Sequence, residues 1–520
     1  MLHIGNIANN AFLNAKILNQ HGFDCDVMCA DYYHIMGCPE WEEADFAGDV
    51  GDHFQPDWTA VDLRGYQRPR WFAQGPPQLC LEYLIARRTG NARVANKRWQ
   101  ELGIANGTIA GRPRGRWRRA VARLRGFLTV IRERRDAPEV TAAFLRRFAR
   151  RRGKWAGVAN VVAVPVCTAA VWLLGELLRT DDPDRLAQWT ALFREQFRDR
   201  ADVMVAADIA PVIFAADRFK PLFALYDIIV GYAKEGVTPL IAGFPYFALE
   251  HGTLRELPYR DDRDGRQTAL CYRMAQHVFV TNFDCLDSAR YLAPGRFTLI
   301  NHPFDEDAGL AVQGSEELRD ELRRDLDSDV LFFFPTRHDW IAGTGYADKA
   351  NDVFLRAFAA LRREGFRIGA VCCEWGANVQ DSKQLLDDLG CARYVRWAHP
   401  LPTVQFERMC RAADCVVDQF KLGAFGGVMF KAMAVGAPML TYLDEAQLQR
   451  QFTEIPPVIN CRTTGDIVTT LRRLLQTPDE LSRYGTAARA WMHRHHGKAE
   501  TVRLQSERFH HLLFPNALAK

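Results

Sequence analysis

Three glycines stand where an apolar, strand-like segment gives way to a helix-like one. In LGAFGGVMFKAMAVGAPML, Gly423, Gly426 and Gly427 follow the run DCVVDQF and precede Met429, Ala432 and Met433 at helical spacing. Small residues at such a turn let a phosphate or a sugar reach backbone N–H groups at the helix N-terminus, where the dipole favours negative charge. Upstream, VLFFFP runs into Thr336-Arg337-His338, and Lys349 lies twelve residues beyond Arg337 at the head of the next helical segment. An arginine and a lysine at the mouth of a parallel sheet can hold a diphosphate and neutralise charge on a departing phosphate.

Groups of this kind need a parallel α/β scaffold, and the patterning predicts two. After Asp329 the order is VLFFFPT, a helix from Asp352 to Arg363, RIGAVCCEW, a helix near Lys383, YVRWAHP, a helix through Met409, DCVVDQF, the glycine-rich turn and helix, and MLTYLD. Alternating strands and helices imply parallel sheets with right-handed crossovers. The N-terminus opens the same way, with HIGNI, a helix carrying Leu13, Ile17 and Leu18 and stopping at Gly22, then DCDVMCA. The loop after the first strand of such a sheet faces the ligand crevice. VMVAADIA, YDIIVGY, TPLIAGF and HVFVTNF read as later strands or strand ends, residues 51–110 as loops and short helices, and the region from Thr464 onward as helical. The expected domains are 1–310, with a helical basic insertion at about 110–200, and 311–497, with a helix at 498–520 packing back on the first domain.

At 520 residues the chain exceeds one ordinary core, and its half-apolar, quarter-charged composition is that of a globular protein. The net charge of +4 hides an asymmetry: residues 111–154 hold fifteen arginines and one lysine against three acids, leaving the rest at −9. Trp117, Leu124, Phe127, Leu128 and Ile131 fall among those arginines at helical spacing, the pattern of a basic amphipathic helix on an anionic membrane surface through 112–154. No aromatic RNA-binding signature or zinc finger accompanies the charge, so nucleic acid is not expected as a partner. The uncharged run Trp155–Leu174 is long enough to span a bilayer but carries Asn160 and Pro165 between segments of one sheet; a buried or membrane-dipping hairpin fits better. The first residues lack a signal-peptide pattern, and the thirteen cysteines form no CxxC pair, so a cytoplasmic location is expected, peripheral to the inner face of the membrane. Cys25, Val27 and Cys29 alternate and should share one buried strand face, which leaves no need for a zinc site with Cys38 and His34.

The C-terminal half resembles the donor domain of retaining, GT-B-fold glycosyltransferases of the family 4, group 1 type. The resemblance rests on PTRH and DKAND for the Arg/Lys loop, EWG at a strand end, and DCVVDQFKLGAFGGVMFKAMAVGAPM; GNIANNAF, PEWE at 39–42 and LEHGTLRELP at 249–258 extend it more loosely to the N-terminal half. It implies two Rossmann-like doubly wound domains facing a cleft, and transfer of a sugar from a UDP- or GDP-sugar with retention and no cofactor or obligatory metal. The acceptor would be a glycan, a lipid-linked molecule or a protein, as in cell-surface polysaccharide synthesis. By the same resemblance Arg337 and Lys349 hold the donor diphosphate, Gly5 and Asn6 border it, and His251 faces the reacting sugar. Glu374 and Asp418 contact base or ribose, and the 423–427 loop cradles the donor. The family carries two glutamates eight positions apart where this chain has Gly423 and Lys431. An ammonium donates hydrogen bonds and cannot accept them from ribose hydroxyls as a carboxylate does, although it could meet a phosphate or another acid. Two rivals follow: a binding subunit without catalysis and, less favoured, a nucleotide-sugar epimerase.

Overall fold

The computed structural model describes residues 1–30, 34–110, 183–341, 348–450, 452 and 454–513. The arginine-rich 112–154 stretch, the uncharged run Trp155–Leu174 and most of the expected insertion lie outside the described residues. Seven parallel strands make the first sheet: β1 (Leu2–Ile4), β2 (Asp26–Ala30), β3 (Phe72–Gly75), β4 (Ile229–Tyr232), β5 (Phe247–Leu249), β6 (His277–Val280) and β7 (Phe297–Leu299), in the order β3-β2-β1-β4-β5-β6-β7. Six more make the second: β8 (Val330–Phe334), β9 (Ile368–Cys373), β10 (Val395–Ala398), β11 (Cys415–Val417), β12 (Met439–Thr441) and β13 (Ile459–Asn460), in the order β10-β9-β8-β11-β12-β13. Each sheet reverses its strand order once, between β1 and β4 and between β8 and β11. The α/β class and two Rossmann-like, doubly wound sheets are therefore present.

Helices cover both faces of each sheet, so inner strands are largely apolar, the buried His3 of β1 and Asp26 of β2 excepted. On β2, Val27 and the flanking Cys25 and Cys29 share a fully buried face with Phe72, Val230, Phe247 and the helix residues Phe12, Ala15 and Leu18. Met28 joins Leu2, Ile4 and Ile229 in the core on the other side. The last described helix, Lys498–Leu513, packs on the first sheet, with Phe509 edge-on to Phe247 at 5.0 Å and to Phe279 at 5.7 Å. A buried polar chain pins it: Gln505 and Asn14 exchange amide bonds of 3.0 and 2.8 Å, and Asn14 donates to the Tyr232 hydroxyl.

Three expectations need correction. VMVAADIA is not a strand: Ala206–Phe223 is a helix whose buried Ile209, Ala216, Phe219, Leu222 and Phe223 form a helical stripe, and Asp208 caps it by accepting from the Val205 N–H at 2.9 Å. TPLIAGF is likewise not a strand; Val237–Ala242 is a short crossover helix closed by Gly243 at φ 83°. Residues 51–110 hold β3 and two full helices, Pro77–Arg88 and Ala92–Asn106, rather than loops and short helices. β3 was hidden because its buried Gln74 breaks the apolar signal; the side chain is bonded by Arg68 at 2.7 Å. Among the described residues, no helix is long and apolar enough to cross a membrane.

Candidate functional site

In a doubly wound sheet, ligands bind outside the carboxyl ends of the strands at the point where strand order reverses. Gly5 and Asn6 follow β1, His251 follows β5, Arg337 and Lys349 follow β8, Glu374 follows β9, and Asp418 with the 423–427 loop follows β11. Backbone strain concentrates on the same rims. Of six non-glycine residues at positive φ among the described residues, Ala8 and Asn9 sit in the loop after β1, Ala233 after β4, and Ala350 beside Lys349. Such conformations cost about 1–3 kcal/mol each and persist where the surroundings over-determine them, commonly at ligand sites.

The loops after β8 and β11 are tied into one rim. The Phe420 N–H donates to the Lys349 carbonyl at 3.0 Å, Lys421 pairs with Asp348 at 3.1 Å, and Thr336 donates to Asp418 Oδ1 at 2.8 Å. Asp418 is only 5 % exposed and lies beneath the glycine loop: a Cβ on Gly426 would sit 2.5 Å from its Oδ2. Burial pushes its carboxyl above the usual range, with Lys349 and Thr336 pulling the other way. The carboxylate thus faces the loop that it supports. Gln419 staples that loop, accepting from the N–H groups of Lys421 and Leu422 and donating to the Ala424 carbonyl. Gly423 holds φ 71°, where a side chain would strike Tyr442, while no atom crowds Gly427 at the start of helix Gly427–Ala434. Arg337 pairs with Asp339, and Glu374 accepts from Lys383 at 2.5 Å.

Lys349 reports the electrostatics of this rim. Burial holds its ammonium below the usual range; the guanidiniums of Arg337 and Arg255 add to that, and Asp418 and Asp339 oppose it. Arg255 belongs to the first domain, on the loop leaving β5, where Asp284 and Asn282 fix it at 2.6 and 3.1 Å. Guanidiniums from both domains are therefore near enough to Lys349 to lower it. Arg255 was not singled out in the sequence, although LEHGTLRELP contains it; its holding partner comes from the next strand loop.

Opposite them, His251 Nε2 accepts from Asn10 Nδ2 at 3.0 Å, which leaves the proton of the neutral ring on Nδ1. Burial, with Arg255, lowers its pKa to about 4, so it is neutral at pH 7. Asn6 spends its side chain on Asn9, Gly37 and the Phe12 N–H, ordering the first loop rather than offering an amide to a ligand. Behind His251 the rings of His302 (5.4 Å) and Phe430 (5.1 Å from His302) continue to His496, 4.9 Å from Phe430. Neither nitrogen of His496 meets a hydrogen-bond partner among the described residues, and burial lowers its pKa to about 3.

These depressed values make folding pH-dependent. Above the unfolded pKa near 6.5 the rings are neutral in both states; below it the unfolded chain takes up protons that the folded chain refuses. Stability is then lost as pH falls through the window from 6.5 to about 3 for His496, at up to about 1.4 kcal/mol per pH unit. Urea midpoints measured from pH 7 to 5 should show the decline. His496→Phe, which keeps the ring among Phe425, Phe430 and Trp491 and removes two unsatisfied nitrogens, should flatten it without loss at pH 7. An unchanged slope contradicts the assignment.

Lys431 lies elsewhere. Its Nζ donates to Glu42 Oε1 at 2.9 Å and to Thr403 Oγ1 at 2.7 Å, and Thr403 donates to Glu42 Oε2 at 2.9 Å. Glu42 comes from helix Pro39–Glu43 of the first domain, so the residue in the glutamate position is committed to an interdomain ion pair. Arg408 reinforces the contact on Asp45 at 2.7 Å.

No protein-family model matches the chain, and no curated protein does. Solved structures similar to it in fold include HepE of Anabaena in complex with UDP and glucose (15 % identity over 57 % of this chain and 80 % of that one, TM-score 0.46). A second is sucrose-phosphate synthase of Thermosynechococcus elongatus (16 %, 59 % and 80 %, TM-score 0.43). A third is a glycosyltransferase of Rickettsia africae (12 %, 58 % and 82 %, TM-score 0.46).

Proposed function

We propose that this chain is a glycosyltransferase that moves a sugar from a nucleotide-sugar donor, such as a UDP- or GDP-sugar, to a glycan, lipid-linked or protein acceptor with retention of configuration. The observation that carries the reading is the joined rim after β8 and β11, where the second sheet reverses order: it bears Arg337 and Lys349, and Arg255 of the first domain is near enough to act on Lys349. A diphosphate placed there would meet guanidinium and ammonium donors, with the N–H groups of the 426–427 turn below it. The cations would stabilise charge as the phosphate departs. His251, neutral and with its proton on Nδ1, would donate to a sugar hydroxyl without adding charge to the reacting centre.

Calorimetry against UDP, GDP and their sugars, followed by a turnover assay, tests this. Binding of one donor class with slow hydrolysis, accelerated by acceptor, is the expected result; no binding by any of them rejects it. One observation favours a second reading, a binding subunit without catalysis: Lys431 is occupied by Glu42 and so cannot serve the donor where the resemblance calls for a carboxylate. Donor binding with no turnover of any kind would select that alternative.

A further inference from the structure

We propose that a groove on the first domain, outside the cleft, binds a neutral oligosaccharide. Its volume is about 440 Å³, and its walls include Tyr259, Tyr291, Asp199, Arg200, Asp202 and Asp261. The two tyrosine rings lie 28° from parallel with centroids 6.3 Å apart, and Tyr259 is 47 % exposed. Tyr291 is held on two sides. The Tyr291 hydroxyl donates to Asp199 at 2.8 Å and the Arg273 guanidinium stands 5.4 Å from its ring centroid. Arg200 donates to the Pro258 carbonyl beside Tyr259 and binds Asp202 through two bonds of 2.7 and 2.8 Å.

The charged groups around the rings are paired rather than free: Arg266 bonds Asp208 at 2.8 Å as well as its groove partners, and carboxylates outnumber guanidiniums in the lining. Those partners are Asp261 at 2.6 Å and Asp202 at 3.7 Å. The groove therefore offers the half-exposed Tyr259 ring, backed by Tyr291 and edged by paired carboxylate and guanidinium groups whose carboxylate excess turns anions away. A pyranose has the matching form, with an apolar C–H face for the ring and equatorial hydroxyls that both donate and accept at its edge. Among the described residues no strand edge lines the groove, so an extended peptide would find no ladder to join there. Tyr259 lies on the loop that also carries Arg255, so a chain held here would run along the same domain rim as the cleft. The inference does not depend on the donor reading.

Titration of the full chain with cellotetraose, chitotetraose, maltotetraose and laminaritetraose, followed by ligand-observed NMR and calorimetry, tests it. At least one tetrasaccharide should bind saturably. Tyr259→Ala should weaken that binding about tenfold, while Tyr259→Phe, which keeps the ring, should stay within about threefold. Asp261→Asn, at an exposed side chain, should weaken it several-fold through loss of a charged acceptor. Saturable binding by none of the four, or binding that Tyr259→Ala and Asp261→Asn both leave unchanged, overturns the proposal. UDP and GDP titrated alongside read the donor cleft separately, so a failure there leaves this groove to stand or fall alone.

Discussion

Replacing Arg337 or Lys349 with alanine is expected to lower kcat/KM for the nucleotide-sugar donor by about 10²–10³-fold, with little change in melting temperature. Both side chains are partly solvent-accessible, and the hydrogen bond that ties the Lys349 loop to Phe420 runs through the Lys349 carbonyl, so truncating the side chains costs the fold little. Their value lies in charge that develops on the leaving phosphate, in a rim that already depresses the Lys349 ammonium. Arg337→Lys should recover only part of the loss, because a point charge replaces a planar fork. Arg255→Ala should act in the same direction but also cost stability, since it strands Asp284 and Asn282. Because the three cations would share one anion, the double variant Arg337→Ala/Lys349→Ala should fall short of the product of the single effects. Steady-state kinetics on the three single variants and the double settles the matter: donor turnover within twofold of wild type for both Arg337→Ala and Lys349→Ala would remove the diphosphate assignment.

What could be read from the sequence depended on how far apart the partners lie. Five of the six strands of the second sheet were legible, because β8, β9 and β11 are buried on both faces and read as apolar runs ending in Thr336, Glu374 and Asp418; the two-residue β13 was too short to show. The glycine loop was legible because a turn from strand to helix leaves small residues close together in sequence. β3 was not, since Gln74 owes its burial to Arg68 and to sulfur neighbours that fold around it. Helix Ala206–Phe223 was misread because VMVAADIA is a short, nearly continuous apolar run of the kind a buried strand also shows, while the stripe that decides the matter needs all eighteen residues. Lys431 shows the limit most clearly. Its type at that position could be seen, and an acid partner was among the options, but Glu42 lies 389 residues away. Only the closing of the two domains brings them together.

That contact yields a prediction against intuition: Lys431→Glu, which installs the residue type that the resemblance calls for, should damage the protein rather than improve it. Lys431 Nζ is the shared donor between Glu42 and Thr403, with side-chain exposures of 22 % for the lysine and 10 % for Glu42. Glu407 is nearby and 4 % exposed; burial raises its pKa to about 7, Lys431 holds it down and Glu42 pushes it up. Exchange to glutamate removes the cation that balances this cluster and adds a third carboxylate. Stranding one partner of a buried ion pair costs about 3–5 kcal/mol. The loss should appear as a lower urea midpoint, together with a larger radius of gyration in small-angle scattering as the domains part. Lys431→Met removes the charge without adding one and should lose less. Lys431→Met/Glu42→Gln should recover much of the difference, because no charge is then left stranded. Acidification gives an independent check: protonating Glu407 below pH 7 relieves repulsion, so the deficit of Lys431→Glu should shrink between pH 7.5 and 6. A Lys431→Glu protein that matches wild type in urea and scattering, or that turns over donor faster, would show that Glu42 and Lys431 do not clasp the domains.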